Sequence, residues 1–118
     1  MPQKHSRPVP GGRGFWWTEH LWTAAEGLPV HQVALDDIVE LDEDCWFGGK
    51  APTCREVAEH SRRIRDADLG YPVIFASDGR LMDGGHRIAR AWLDGRAEID
   101  AVRFEVDPPP DWVVPSAQ

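Results

Sequence analysis

The stretch from Tyr71 to Gly95 constrains the fold more than any other part of the chain. Tyr71-Pro72-Val73-Ile74-Phe75 is rich in β-branched and aromatic residues and, with Pro72 at its start, predicts a strand. Ser77-Asp78-Gly79-Arg80 predicts a hairpin turn, and Leu81-Met82-Asp83 a short returning strand. The pair Gly84-Gly85 interrupts the extended chain. His86 to Leu93 then predicts a helix closed by Asp94-Gly95, with Ile88, Ala91 and Trp92 facing inward. A hairpin followed at once by a helix cannot stand alone, so the rest of the chain must supply the layers that cover it.

Thr53 to Ala67 predicts the longest helix. Thr53 with Glu56 three residues later fits a capping box, and Val57, Ser61, Ile64 and Ala67 trace an inward stripe with His60 beside it. Arg55, Arg62, Arg63 and Arg65 lie on the outer faces, where Glu56, Glu59 and Asp66 balance them, and Gly70 is expected to stop the helix. Val30 to Leu35 alternates like a half-buried strand, and Ile99 to Val106 like a closing one. Between them, Ile38, Val39 and Leu41 predict a short piece. Asp42-Glu43-Asp44 is expected as a solvated acidic turn ahead of Cys45-Trp46-Phe47 and Gly48-Gly49.

The ends read differently. Residues 1–14 hold three prolines, three glycines and the cations Lys4, Arg7 and Arg13, and are expected as a flexible arm. Residues 15–29 form an aromatic extension with Phe15, Trp16, Trp17 and Trp22, in which Thr18 is expected to cap a short helix. These aromatics are expected to cover one edge of the core or a second copy in a homodimer, ahead of any ligand-stacking role. Residues 107–118 form a Pro-rich tail, with Trp112 to Val114 placed to fold back on the body. The fold class is therefore α+β: one small mixed β-sheet packed by helices over residues 30–106, with an N-terminal Trp-rich helical extension.

Charge and composition exclude several functions. The chain has 118 residues and a formal charge of −7, which opposes coating of nucleic acid or of an anionic membrane by bulk attraction. No apolar run approaches the roughly 20 residues that cross a bilayer, and the polar start has no apolar signal region, so the cytoplasm is the expected location. Cys45 and Cys54 have neither metal nor redox spacing and are expected as free thiols. Only two of the thirteen Lys and Arg residues are lysine and no Walker sequence is present, which excludes an ordinary P-loop site.

The chemistry concentrates at Asp83-Gly84-Gly85-His86-Arg87, with Arg90 one turn further on. The first N–H groups of a helix lack internal acceptors and carry the positive end of its dipole, and glycine lets a phosphate approach them closely. On this reading Gly84, Gly85, His86 and Arg87 bind a phosphate, with Arg87 as a bidentate donor and Arg90 and His60 in support. Asp83 and His86 are the candidate catalytic residues: Asp83 as helix cap, metal ligand or base, His86 as donor or proton-transfer group. The same residues also describe a plain tight turn.

Val30 to Phe104 resembles the N-terminal domain of the ParB/sulfiredoxin-like superfamily. The likeness is carried by Tyr71-Pro72-Val73-Ile74-Phe75, Asp78-Gly79-Arg80, Leu81 through Ala91, and the closing Ala97 to Phe104. It is similar in particular to small stand-alone bacterial ParB-like proteins. In ParB proteins the corresponding turn binds nucleotide phosphates, and partition complexes use CTP; in sulfiredoxins it sets a catalytic cysteine beside ATP; other relatives transfer phosphate to small molecules. The resemblance implies a phosphate-cradling role for Gly84, Gly85, His86 and Arg87.

The departures narrow this. ParB's usual Gly-Glu-Arg-Arg is matched outright only by Gly84 and Arg87. The sulfiredoxin cysteine is missing, which argues against sulfinic-acid repair, and no helix-turn-helix region follows within these residues. Three readings stay open: a module binding a phosphate-bearing ligand, foremost a nucleotide; a Mg²⁺-assisted nucleotide hydrolase, phosphotransferase or nuclease at the same turn; and a non-catalytic protein- or DNA-associated accessory factor.

Overall fold

A computed structural model describes residues 3–116. Two sheets and three α-helices are formed. A three-stranded antiparallel sheet of order β1-β2-β7 comprises Lys4–Val9, Gly12–Trp17 and Trp112–Pro115. A four-stranded sheet of order β3-β6-β4-β5 comprises His31–Ala34, Glu98–Arg103, Val73–Phe75 and Leu81–Asp83. The second sheet is mixed: β4 and β6 run parallel, and the other pairs antiparallel. The helices are α1, Thr18–Ala24, α2, Cys54–Arg65, and α3, Gly85–Leu93, and two 3₁₀ turns span Leu35–Asp37 and Val39–Asp42.

Strand alternation sorts the core into two clusters on opposite faces of the mixed sheet. Val73, Phe75, Ile99 and Ala101 pack with Leu35, Ile38, Ile88 and Ala91 on the face covered by α3 and the 3₁₀ turns. Ile74, Ala76, Met82, Val102 and Phe104 pack with Trp16 and Leu21 on the face covered by the N-terminal layer. A sheet apolar on both faces needs two covering layers, and the chain's first residues build one of them.

The expectation of a flexible arm is thereby corrected for residues 4–14. They pair as a hairpin from Lys4↔Trp17 to Val9↔Gly12, turning at Gly11 with φ +83°. The glycines read as breakers are what permits this: a Cβ on Gly12 would overlap the Val114 carbonyl of the adjoining β7. The Pro-rich tail folds back over Trp112 to Val114 as expected, and does so as a strand: Trp112 to Pro115 pairs with β2, and the Trp16 indole N–H donates to the Pro108 carbonyl at 2.8 Å. Residues 117–118, the end of that tail, lie outside the described residues.

Other boundaries move. The cap of α1 is Trp17, without a side-chain bond, and Thr18 is the first helical residue. α2 ends at Arg65 with Asp66 as its cap, well before Gly70. The final strand stops at Arg103 and not at Val106. The expected stripe on α2 is not buried: no residue of the helix is, and Val57 is exposed, because α2 lies at the edge of the fold beside α3. Within α3, Ile88 and Ala91 are inward as expected, but Trp92 is 63% exposed and Arg87 takes the inward place at 8%. The capping box of Thr53 and Glu56 forms in both directions, at 3.2 and 3.0 Å. No helix among the described residues is long and apolar enough to cross a membrane.

Candidate functional site at the opening of the third helix

β5 ends at Asp83, and Gly84 turns the chain into α3 with φ +125°, a conformation glycine adopts without strain. A Cβ at Gly84 would also overlap the Val73 side chain, so both its backbone and its space demand glycine. The first helical bond runs from the Ile88 N–H to the Gly84 carbonyl at 2.9 Å. No side chain caps this terminus, and no acidic residue lies in its first turn.

The residues flanking the opening divide into two groups. Arg87 and Asp83 form the first. The Arg87 guanidinium donates to the Tyr71 and Pro72 carbonyls at 3.1 and 2.7 Å and pairs with the Asp83 carboxylate. Asp83 also accepts the Trp22 indole N–H at 2.7 Å, and Trp22 stacks on Tyr71 with centroids 5.6 Å apart. Arg87 therefore ties α3 to the start of β4, a structural job. Its expected bidentate contact with a phosphate is not what its donors are arranged for. Asp83, held by two donors and not capping the helix terminus, is likewise poorly disposed to act as a base.

His86 and His60 form the second group. Nδ1 of His60 lies 2.8 Å from Nε2 of His86, so one imidazole donates and the other accepts. The Trp46 indole lies nearly parallel to both rings, at 4.8 Å from His60 and 4.6 Å from His86, and so covers the pair on one side. Phe47 meets His60 edge-on at 5.2 Å. Burial, followed by His60, Arg63 and Arg87, pushes His86 down to about 4, with Asp83 opposing. Burial and then Arg63 lower His60 as well. Both rings are neutral near pH 7.

Trp46 and Phe47 are functional candidates that sequence reasoning passed over. Their loop is held by Asp44, whose carboxylate accepts the N–H groups of Trp46, Phe47 and Gly49 at 3.0, 2.7 and 2.7 Å. These bonds hold the Asp44 carboxyl below the usual range. The acidic run was expected as a solvated turn; one of its members instead staples an aromatic strap across the opening of α3. An aspartate followed by Gly48-Gly49, both at positive φ, was the available sign.

Arg90 is not brought to the opening. It pairs with Asp94 at 3.0 Å and donates to the Arg65 carbonyl, facing the seam between α2 and α3. Cys45 and Cys54 are exposed and unpaired. No cluster of three or more His, Cys, Asp or Glu suited to a metal occurs among the described residues. Trp16 is buried against the mixed sheet, Trp22 serves Asp83, and Trp17 with Phe15 packs against Trp112, so the N-terminal aromatics cover their own core. No family model, curated protein or solved structure matches the chain.

Proposed function

We propose that the chain is a ParB/sulfiredoxin-like domain that binds a phosphate-bearing ligand, a nucleotide, at the opening of α3. The observation that carries this reading is a helix terminus left uncapped by protein groups, next to an imidazole kept neutral by burial and by Arg63 and Arg87. An arriving phosphate accepts the free first-turn N–H groups and caps the helix, and its negative charge draws a proton onto His86. Gly85, without a Cβ, lets the Trp46 indole lie close over the turn, where a Cβ would come within 3.2 Å of the indole nitrogen. His60 supports His86 by hydrogen bond, while Arg87 and Gly84 hold the turn in shape. Binding is favoured over turnover because the candidate base, Asp83, is already held by Arg87 and Trp22.

Titration calorimetry with ATP, CTP and pyrophosphate, with and without Mg²⁺, tests the reading. At pH 5.5, in two buffers of different ionisation enthalpy, binding is expected to take up a fraction of a proton, and His86→Ala is expected to lose both the binding and the uptake. Absence of heat with every phosphate compound, or binding undiminished in His86→Ala, overturns it.

A further inference from the structure

The helix α3 carries apolar residues on two sides, and only one is covered. Ile88 and Ala91 are buried, whereas Trp92 and Leu93 stand 63% and 65% exposed side by side. They flank a cleft of about 450 Å³ between α3, Ile64 of α2 and the chain from Glu40 to Trp46. A tryptophan exposed next to a leucine at the mouth of a cleft is the arrangement that apolar anchors of a partner use.

The cleft has a chemical bias as well as a shape. Glu40, Asp42 and Glu43 line it, and no lysine or arginine does. Arg80 bridges Glu40 and Glu43 at 2.8 and 2.6 Å, which leaves three carboxylates against one guanidinium. Glu40 is 8% exposed. Its Oε2 accepts from Arg80 and from the Leu81 N–H at 3.1 Å, while its Oε1 is buried with no partner. A buried carboxylate oxygen without a donor is costly, and a donor supplied by a ligand relieves that cost.

We propose that this cleft docks a peptide segment of a partner protein, one that presents an arginine or lysine flanked by apolar side chains. The cation reaches toward Glu40, Asp42 and Glu43, and the apolar neighbours lie on Trp92 and Leu93. A small organic amine fits the cleft but leaves the Trp92-Leu93 shelf uncovered, and a second copy of this chain, itself at −7, meets electrostatic repulsion. The cleft shares Gly85 and Trp46 with the phosphate reading, but the groups that would recognise the peptide are Glu40, Asp42, Glu43, Trp92 and Leu93, and the ligand charge is opposite.

The test is amide and indole N–H chemical-shift mapping of the whole chain with acetyl-Leu-Arg-Arg-Leu-amide, using acetyl-Leu-Glu-Glu-Leu-amide and acetyl-Ser-Arg-Arg-Ser-amide as controls. Saturable shifts at the Trp92 indole, Ile88 and Ala89 are expected with the first peptide, and binding at least several-fold weaker with either control. Trp92→Ala and Asp42→Asn, both at exposed positions, keep the fold intact and are expected to weaken binding; Glu40→Gln weakens it about tenfold, the worth of a charged hydrogen bond. Shifts confined to other surfaces, equal binding of the acidic peptide, or movement of the same signals with protein concentration alone overturn the proposal. Equal binding by the Ser-flanked peptide or by free arginine amide also overturns it, because the apolar shelf then contributes nothing.

Discussion

The two layers that cover the mixed sheet are built by different means. The N-terminal layer is a sheet of its own, in which strands from both ends of the chain pair and Trp16 and Leu21 are almost wholly removed from water. It is laced across long sequence distances, by Trp16 to Pro108 and by the Trp17 N–H to Asp111, each at 2.8 Å. On the other face α3 is anchored by Ile88, Ala91 and Arg87, while α2 beyond it has no fully buried residue and owes its start to a local capping box. One side is closed by backbone pairing. The other is left open, with a strap, a cleft and exposed aromatics, and both proposed sites lie there.

The largest effect is expected where the open side is bolted to the sheet. Arg87→Ala leaves the Asp83 carboxylate without its cation and the Tyr71 and Pro72 carbonyls without the Arg87 donor, and is expected to cost about 3–5 kcal/mol in urea denaturation. A loss below about 1 kcal/mol means that Arg87 does not hold the turn and reopens its role as a ligand group. Trp16→Ala, in the closed layer, is expected to cost a similar 3–5 kcal/mol or so by the loss of a large buried side chain. If it proves mild, the N-terminal hairpin is not part of the folded core.

Acid is expected to weaken both layers through one partly buried histidine in each. His5 is pushed down to about 4, by burial first and then by Arg7 and Arg13, and His86 to about 4 as well. With folded values below the ordinary 6.5, the unfolded chain binds more protons between these limits. Stability therefore rises with pH from about 4 to 6.5 and is flat above, with respect to these groups. Chemical denaturation across this range is expected to show a shallower slope in His86→Asn, and an unchanged slope means that burial does not hold His86 below its ordinary range.

Smaller effects sharpen the contrast between local and tertiary support. Thr53→Ala removes one half of the capping box of α2 and is expected to cost about 1 kcal/mol, read as faster amide exchange in that helix before any change in the sheet. Trp92→Ala is expected to change stability by no more than about 0.5 kcal/mol. A large loss there places Trp92 in the core after all and removes the shelf from the open side.

Local signals were legible in the sequence. The capping box, the hairpin turn at Ser77 to Arg80, the short strands around it and the helix after Gly84-Gly85 all depend on residues a few positions apart. The α+β class followed from their order. The ends misled because proline and glycine were read as breaking local structure, whereas β1 and β2 form a tight hairpin and β2 pairs with β7 about a hundred positions away. In α3, periodicity marked the face but could not say which neighbour would arrive; Trp92, expected inward, is exposed, and Arg87 is buried in its stead.

The site shows the same division. Spacing alone identified the glycine opening and proposed His60 beside it, since both depend on helix phase. That His60 and His86 meet at 2.8 Å under Trp46, that Asp83 is already held, and that Arg90 turns toward α2 depended on how α2, α3 and the strap converge. By itself, then, the sequence determined the elements whose hydrogen bonds close within a turn or a hairpin. Only tertiary structure decided which polar groups were satisfied within the protein and which were left for a partner, because that depends on distances between segments that no local rule relates.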